Sequence, residues 1–385
     1  MKLERLQLRD FRNYRDLDLH LGEPWIILAG ANAQGKTNLL EAVSVACVGY
    51  SPRGTSDAEM IRWGQEQARI AARVATDQRG AIELEAILAA HGRRQVKING
   101  APRRLADLAG LVGIVLFAVD DLDVVKRDPY ARRRFLDNEL GALTRSYYWN
   151  LARYRRAVDQ RNRLLKDIRD QRRAIPELDS WDEQLSTTGA VVVEKRAAFL
   201  AALSEHGSEA YRRLTATQDT LELRYRPALG DEAAWARMAA AADAQDLRRR
   251  VCDRITRALA QGRAEEIERG ATLCGPHRDD FDIVGGGVDL HRFGSQGEQR
   301  TAAIALRLGL VRVIGDAVGE PPVLLLDDVL SELDRERRAG LFEALGGAGQ
   351  TIVTATDVDS IPAGVRAAAR TLEVAAGAVA PPAWG

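Results

Sequence analysis

The sequence predicts an α/β protein, a mixed sheet with flanking helices interrupted by an inserted α-helical arm domain. Short apolar runs of strand type at 25–29, 113–117, 323–326 and 350–356 are separated by helical stretches. A glycine-containing turn joins the first of these runs to a helix. From about Pro129 the composition shifts to long polar helices, and strand-type sequence resumes near 281.

In chain order, residues 1–30 read as two or three strands, with alternation at 2–8 and 16–21 and a turn around Arg12-Asn13-Tyr14. Segments 69–74, 82–88 and 94–98 alternate again and close on Asn99-Gly100, so an antiparallel meander is expected. Gly113 to Phe117 reads as a buried strand that ends at Asp120-Asp121. Apolar positions from Leu136 to Ile168 follow a three-four pattern, broken by the polar Arg161-Asn162, and Pro176 ends that helix. A second helix with Trp181, Leu185, Val192, Leu200 and Leu203 is expected to run back antiparallel. Residues 220–226 read as a strand, 233–259 as helix and 281–293 as a hairpin around Gly285-Gly286-Gly287. The expected division is 1–124 and 271–374 as two halves of one lobe, 125–270 as the insertion, and an Ala/Pro-rich disordered tail at 375–385.

At 385 residues there is chain enough for two or three cores. No apolar span of membrane length occurs, and the first residues form no signal peptide. Cys47, Cys252 and Cys274 are scattered and the five histidines lack ligand spacing, which argues against a metal site built of side chains alone. The net charge is zero, yet 124–175 holds 15 Arg/Lys against 6 Asp/Glu. Such local asymmetry speaks about partners rather than fold.

The chemistry is concentrated in four segments. Gly30-Ala31-Asn32-Ala33-Gln34-Gly35-Lys36-Thr37 fits Gly-x-x-x-x-Gly-Lys-[Ser/Thr] between a strand and a helix. In that pattern the glycines let backbone N–H groups turn inward around phosphates, Lys36 reaches the β- and γ-phosphates, and Thr37 ligates Mg²⁺. Val323 to Leu326 is an apolar strand ending in Asp327-Asp328; downstream of a phosphate loop the first acid holds Mg²⁺ and the second is placed to act as general base. Ser295-Gln296-Gly297-Glu298-Gln299-Arg300 opens a helix with a hydroxyl and backbone N–H groups, the form in which ABC-type ATPases grip the γ-phosphate of a nucleotide held by a second subunit. Ser331-Glu332-Leu333-Asp334 follows in the position of that superfamily's D-loop. The ATP-binding set is therefore 30–37 with Ser295, Gly297 and Gln299. The catalytic pair is Lys36 and Asp328, and the Mg²⁺ pair is Thr37 and Asp327.

Over nearly its whole length the chain resembles the RecF family of bacterial DNA replication and repair proteins. The resemblance rests on Leu8-Arg9-Asp10-Phe11-Arg12-Asn13-Tyr14, the phosphate loop, Ser51-Pro52-Arg53, Ile61-Arg62-Trp63-Gly64, Arg132-Arg133-Arg134-Phe135-Leu136-Asp137, Gln160-Arg161-Asn162-Arg163-Leu164-Leu165-Lys166, Gly275-Pro276-His277-Arg278-Asp279-Asp280 and Leu326 to Asp334. It implies an ABC-type ATPase head with a short helical arm, akin to the heads of structural-maintenance-of-chromosomes proteins. It also implies a cytoplasmic protein that dimerises on ATP, clamps single- or double-stranded DNA without sequence preference, and hydrolyses ATP slowly. Its partners would be recombination mediators and a strand-exchange recombinase. Candidates for DNA contact are Arg132, Arg133, Arg134, Arg153, Arg155, Arg156, Arg161 and Arg163.

Departures from transport-type ABC ATPases point to slow turnover. Thr356-Asp357 stands where they carry a switch histidine, Asp328 replaces a glutamate, and Asp120 or Asp121 takes the place of the Q-loop glutamine. An ATPase subunit of a transporter is the alternative, opposed by the basic insertion and the missing histidine; a small-molecule kinase would leave the 295–300 segment unexplained.

Overall fold

The computed structural model describes residues 1–381 except 172–173, 241–242, 334 and 348. Contacts divide the chain into two compact units: 1–122 with 206–219 and 300–385, and 123–205 with 220–299. The boundary thus falls after Gln299 rather than at 270/271. The reason is pairing: the Asp280–Gly285 strand is hydrogen-bonded along its length to Leu221–Arg226, which holds the segment before residue 300 in the second unit.

The first unit contains two sheets. One is an antiparallel meander in the order Tyr14–His20, Lys2–Phe11, Gln67–Thr76, Gly80–Ala89, Gln95–Ile98 and Ala101–Arg103. Its first strand does not alternate strictly, since Leu3, Leu6 and Leu8 are all buried. A bulge between Leu3 and Arg5 absorbs the extra residue and brings Leu3 back to the core face. The Asn99-Gly100 turn has positive φ at both positions (50° and 76°), the geometry that suits a tight hairpin.

The other sheet positions the chemistry. In space its strands run Ala378–Ala380, Ala369–Ala375, Trp25–Ala29, Thr351–Ala355, Val323–Asp327 and Ile114–Ala118, all parallel except the first. Val323 to Leu326 are fully buried, which explains their unbroken apolar run. The phosphate loop leaves the carboxyl end of Trp25–Ala29, and Asp327 closes the carboxyl end of Val323–Asp327, with Thr351–Ala355 between them. Carboxyl ends of parallel strands are where α/β sheets place ligands.

The C-terminal segment is ordered sheet through Ala380, which corrects the expected tail at 375–385. Ala369–Ala375 pairs with Trp25–Ala29, and Ala378–Ala380 folds back on it through Ala376 (φ 47°) and Gly377 (φ 78°). Backbone pairing outweighs the Ala/Pro composition here; residues 382–385 lie outside the described residues.

The second unit is helical around a three-stranded sheet of Val288–Asp289, Asp280–Gly285 and Leu221–Arg226. The pattern from Leu136 to Ile168, read as one helix, is carried by two: Pro129–Leu143 and Arg145–Arg169. Thr144 separates them with extended backbone (φ −132°), and its N–H still donates to Leu140 O. Because a single residue intervenes, the apolar spacing continues across the break. Likewise 233–259 resolves into Glu232–Ala239 and Ala244–Arg269. The Arg145–Arg169 helix ends before Pro176, which sits in the short turn Ile175–Leu178. Leu164, Leu165, Ile168 and Leu178 form a core against Trp181 and Ile267. Among the described residues no helix is long and apolar enough to cross a membrane.

Charged and polar side chains are also buried in this unit. Arg196, essentially inaccessible, donates to Asp137 (2.7 Å), the Tyr147 hydroxyl (3.0 Å) and Pro276 O (2.6 Å), and lies 3.5 Å from Asp279. His277 donates from Nε2 to Thr272 O (3.2 Å), so Nδ1 accepts from the Tyr154 hydroxyl (2.7 Å) and the ring is neutral. Burial, reinforced by Arg278, Arg133 and Arg196, pushes the His277 imidazolium down to about 4. A depressed histidine stabilises the fold above its unfolded value near 6.5 and loses that contribution as pH falls toward about 4. Denaturant unfolding should therefore show a loss of up to about 3 kcal/mol between those pH values, absent in His277→Asn.

Candidate nucleotide and nucleic-acid sites

The phosphate loop is held from two sides. Gly35 caps the Lys36–Val48 helix in a left-handed conformation (φ 118°), and a Cβ there would lie 2.6 to 2.9 Å from Asn13 and Tyr14 side-chain atoms. The Tyr14 hydroxyl donates to Gly35 O (3.1 Å), and Asn13 Nδ2 donates to Gln34 O (2.9 Å). From the C-terminal hairpin, Ala376 N–H donates to Gln34 Oε1 (2.8 Å) and Gly377 N–H to Gln34 O (3.2 Å). A segment expected to be disordered is thus part of the loop's frame.

Inside the loop Lys36 is buried and its ammonium donates to Gly30 O (2.6 Å) and Ala31 O (2.7 Å). Burial lowers its pKa against the pull of Asp328 and Asp327. The Thr37 hydroxyl (2.9 Å) and the Thr354 hydroxyl (3.1 Å) both donate to Asp327 Oδ1. Burial raises the Asp327 carboxyl above its ordinary range, partly offset by those two donors and by Arg53. A half-desolvated carboxylate beside a threonine hydroxyl, with few fixed protein donors, matches Mg²⁺, which keeps water and phosphate oxygens as its other ligands. Among the described residues no cluster of three or more His, Cys, Asp or Glu could hold a metal ion by itself, so a cation at Thr37 and Asp327 would need phosphate and water as its other ligands.

Asp328 occupies the left-handed region (φ 52°, ψ 18°), with its N–H donating to Thr354 Oγ1 (2.9 Å). Asp is among the few side chains that tolerate this conformation, a backbone reason for Asp rather than Glu here. Arg53, given no role from the sequence, lines the same pocket and donates to Asn38 Oδ1 (3.2 Å). Its loop is anchored two residues earlier by the buried Glu41, which accepts from Arg12 Nε and Nη2 at 2.8 Å each and from the Ser51 hydroxyl at 2.6 Å. The one clue in the sequence was a cation in a proline-containing loop after the phosphate-loop helix.

Ser295 is exposed at the start of the Gln296–Val318 helix, where its N–H (2.8 Å) and hydroxyl (2.6 Å) both donate to Glu298. Those bonds hold the Glu298 carboxyl below its ordinary range. Gly297 is half-buried beside it. Gln299 departs from its expected ATP-binding role: it is buried, with Nε2 donating to Leu290 O (2.7 Å), so it braces the preceding turn. Asp121 is also committed, paired with Arg307 (2.7 Å) and accepting from Ala118 N (2.9 Å), which leaves only Asp120 exposed at the Q-loop position. Asp334 lies outside the described residues.

The description "RecF/RecN/SMC N terminal domain" matches residues 2–373. The chain is 42% identical over 369 residues to the DNA replication and repair protein RecF of Symbiobacterium thermophilum, covering 94% of this chain and 93% of that one. It is 37% identical to RecF of Bacillus subtilis, covering 94% and 95%. The chain belongs to the RecF family. Among solved structures, that of the recombination mediator protein RecF-ATPrS in the RecFOR pathway superposes with a TM-score of 0.87 at 27% identity over 98% of this chain and 97% of that one. An SMC head bound to the C-winged helix domain of ScpA matches at TM-score 0.51 and 15% identity over 98% and 95%, which bears on the fold alone. The ABC-type ATPase head expected from the sequence is therefore the RecF-family fold.

For this RecF-family chain the eight candidate DNA-contact arginines separate sharply. Arg161 is 0% exposed, pairs with Asp182 (2.6 Å) and Glu266 (2.7 Å), and donates to Thr272. Arg132 is buried and forks onto Asp280 (2.6 and 3.0 Å). Both leave the surface set because their fixed charge neutralises buried carboxylates. Arg133 donates to Asp279 O (2.8 Å), Arg134 is half-buried, and Arg155 pairs with Asp137 (2.7 Å) while staying largely exposed. Arg153, Arg156 and Arg163 are exposed along one face of Arg145–Arg169, with no ion pair among the described residues.

Two outcomes follow. Arg161→Ala should cost about 3–5 kcal/mol in urea unfolding by stranding the buried Glu266 and leaving Asp182 to Arg263 alone, whereas Arg153→Ala and Arg163→Ala should stay within ~0.5 kcal/mol of the parent. Gly377→Ala places a Cβ 2.4 Å from Asn13 O in a left-handed turn. It should weaken Mg·ATP binding several-fold in equilibrium titration, with about 1–3 kcal/mol of strain.

Proposed function

We propose that the chain is an ATP-dependent DNA clamp of replication and recombinational repair, in which two copies close on ATP. The observation that carries this reading is the split chemistry. Asn32, Ala33, Gly35, Lys36, Thr37, Asp327 and Asp328 form one face of a nucleotide site, whereas Ser295 is a solvent-exposed anion cap whose N–H and hydroxyl, among the described residues, are held by its own Glu298 side chain. An incoming γ-phosphate would replace the Glu298 carboxylate on the same N–H and hydroxyl donors.

In the closed state Lys36 exchanges its two carbonyl partners for phosphate oxygens. Thr37 and Asp327 would hold Mg²⁺, whose chemistry there would be to neutralise phosphate charge. Asp328 accepts the proton of the attacking water as the bond to ADP breaks. Its short side chain limits that step and makes hydrolysis a timer for release. Arg153, Arg156 and Arg163 supply phosphate contacts that are salt-dependent and indifferent to sequence. Loading of a strand-exchange recombinase with mediator partners follows from the family reading. The transporter alternative has no support in the family to which the chain belongs.

Sedimentation at micromolar protein should show dimer with Mg·ATP and monomer without it, with Lys36→Ala and Ser295→Arg both monomeric. A gel shift with duplex DNA should require ATP, weaken steeply with salt, and weaken further in Arg153→Ala/Arg156→Ala/Arg163→Ala. Monomer under all conditions would overturn the clamp.

A further inference from the structure

We infer that Phe293 is the platform on which the purine base of ATP stacks when a second copy closes the nucleotide, an assignment that rests on the clamp reading above. The phosphate-loop cavity is about 140 Å³ and is lined by Asn32, Ala33, Gly35, Lys36, Thr37, Asn38, Arg53, Asp327, Asp328 and Thr354. That is below the few hundred Å³ usual for a small-molecule site, and among the described residues no aromatic ring lines it. It has room for phosphates and a cation, while the base is left to be held by something else.

Phe293 is 75% exposed and stands two residues before Ser295, the donor assigned to the γ-phosphate. Two residues of chain span at most ~7 Å, and the side chain reaches beyond that, to the length scale of a triphosphate and ribose. The other strongly exposed aromatics, Trp63 and Tyr130, are remote in sequence from that segment.

The ring is also presented on a fixed turn. Phe293 N–H donates to Asp289 O (2.9 Å), and Asp289 Oδ1 accepts from His291 N–H (3.0 Å). Gly294 N–H donates to Leu290 O (3.3 Å), and a Cβ on Gly294 would lie 2.7 Å from that oxygen. Leu290 is fully buried and its carbonyl is clamped by Gln299 (2.7 Å). A large apolar ring held to solvent by a braced turn loses little backbone freedom on binding, as a recognition platform requires. Stacking reads the area of a base more than its edge, so the ligand class is a purine nucleoside triphosphate, with ATP favoured over pyrimidine triphosphates rather than over GTP.

The test compares the full-length parent, Phe293→Ala and Phe293→Trp by sedimentation with Mg²⁺ and ATP, CTP or tripolyphosphate. The parent should dimerise more tightly with ATP than with CTP or tripolyphosphate. Phe293→Ala should weaken ATP-supported dimerisation about tenfold and lose the preference, Phe293→Trp should keep it, and ATP binding to dilute monomers should be unchanged in both. A Phe293→Ala protein that dimerises with undiminished ATP preference overturns the inference alone. So does one weakened equally with all three ligands, since the ring would then be a plain protein contact. A parent that stays monomeric with ATP overturns the clamp reading, and this assignment with it.

Discussion

The hydrogen bond from Thr37 to Asp327, between residues 290 positions apart, is the contact on which the candidate nucleotide site depends. It exists because Trp25–Ala29, Thr351–Ala355 and Val323–Asp327 are neighbouring parallel strands whose carboxyl ends open on the same side. Thr354, on the middle strand, donates to the same carboxylate oxygen and accepts from Asp328 N–H, so the two acids are held as a pair. Any change that slides one of these strands by a residue exchanges every inward and outward side chain and separates the threonine from the aspartate.

A second layer of constraint surrounds that contact. The phosphate loop borrows its shape from Asn13 and Tyr14 on one side and from the 376–377 turn on the other. Loops with backbone turned inward toward phosphate are conformationally costly, and here neighbouring elements hold them in place. The same logic governs the second unit, where Arg196 and Arg161 each bind buried carboxylates. Their guanidinium groups satisfy polar atoms that would otherwise be left without water.

The candidate nucleotide site could be proposed from the sequence because its signals are local: a glycine pattern, an apolar run ending in two acids, and a Ser-x-Gly at a helix start. Even the meander was visible in two-residue alternation, with the Leu3–Arg5 bulge the one place where the pattern needed a structural remedy. What could not be read was the fate of individual charges. Arg153 and Arg161 look alike in a basic stretch eight residues apart, yet one is exposed and the other is fully buried. The difference is set by which helix face meets Asp182 and Glu266, residues distant in the chain. Nor could composition reveal that residues 378–380 pair as sheet, since pairing depends on the edge made available by Ala369–Ala375 once that strand has paired with Trp25–Ala29.

The sequence by itself determined that this chain carries a phosphate-loop pattern between a strand and a helix, that its helical insertion is basic, and which family it resembles, because each follows from short-range spacing and residue chemistry. Only the tertiary structure decided that Gln299 is a brace, that Asp121 answers Arg307, that Arg132 and Arg161 are interior counter-ions, and that the C-terminal hairpin frames the phosphate loop. The physical reason is common to all four. A polar side chain's role is fixed by the partner that reaches it and the water it loses, and both come from residues far away in sequence.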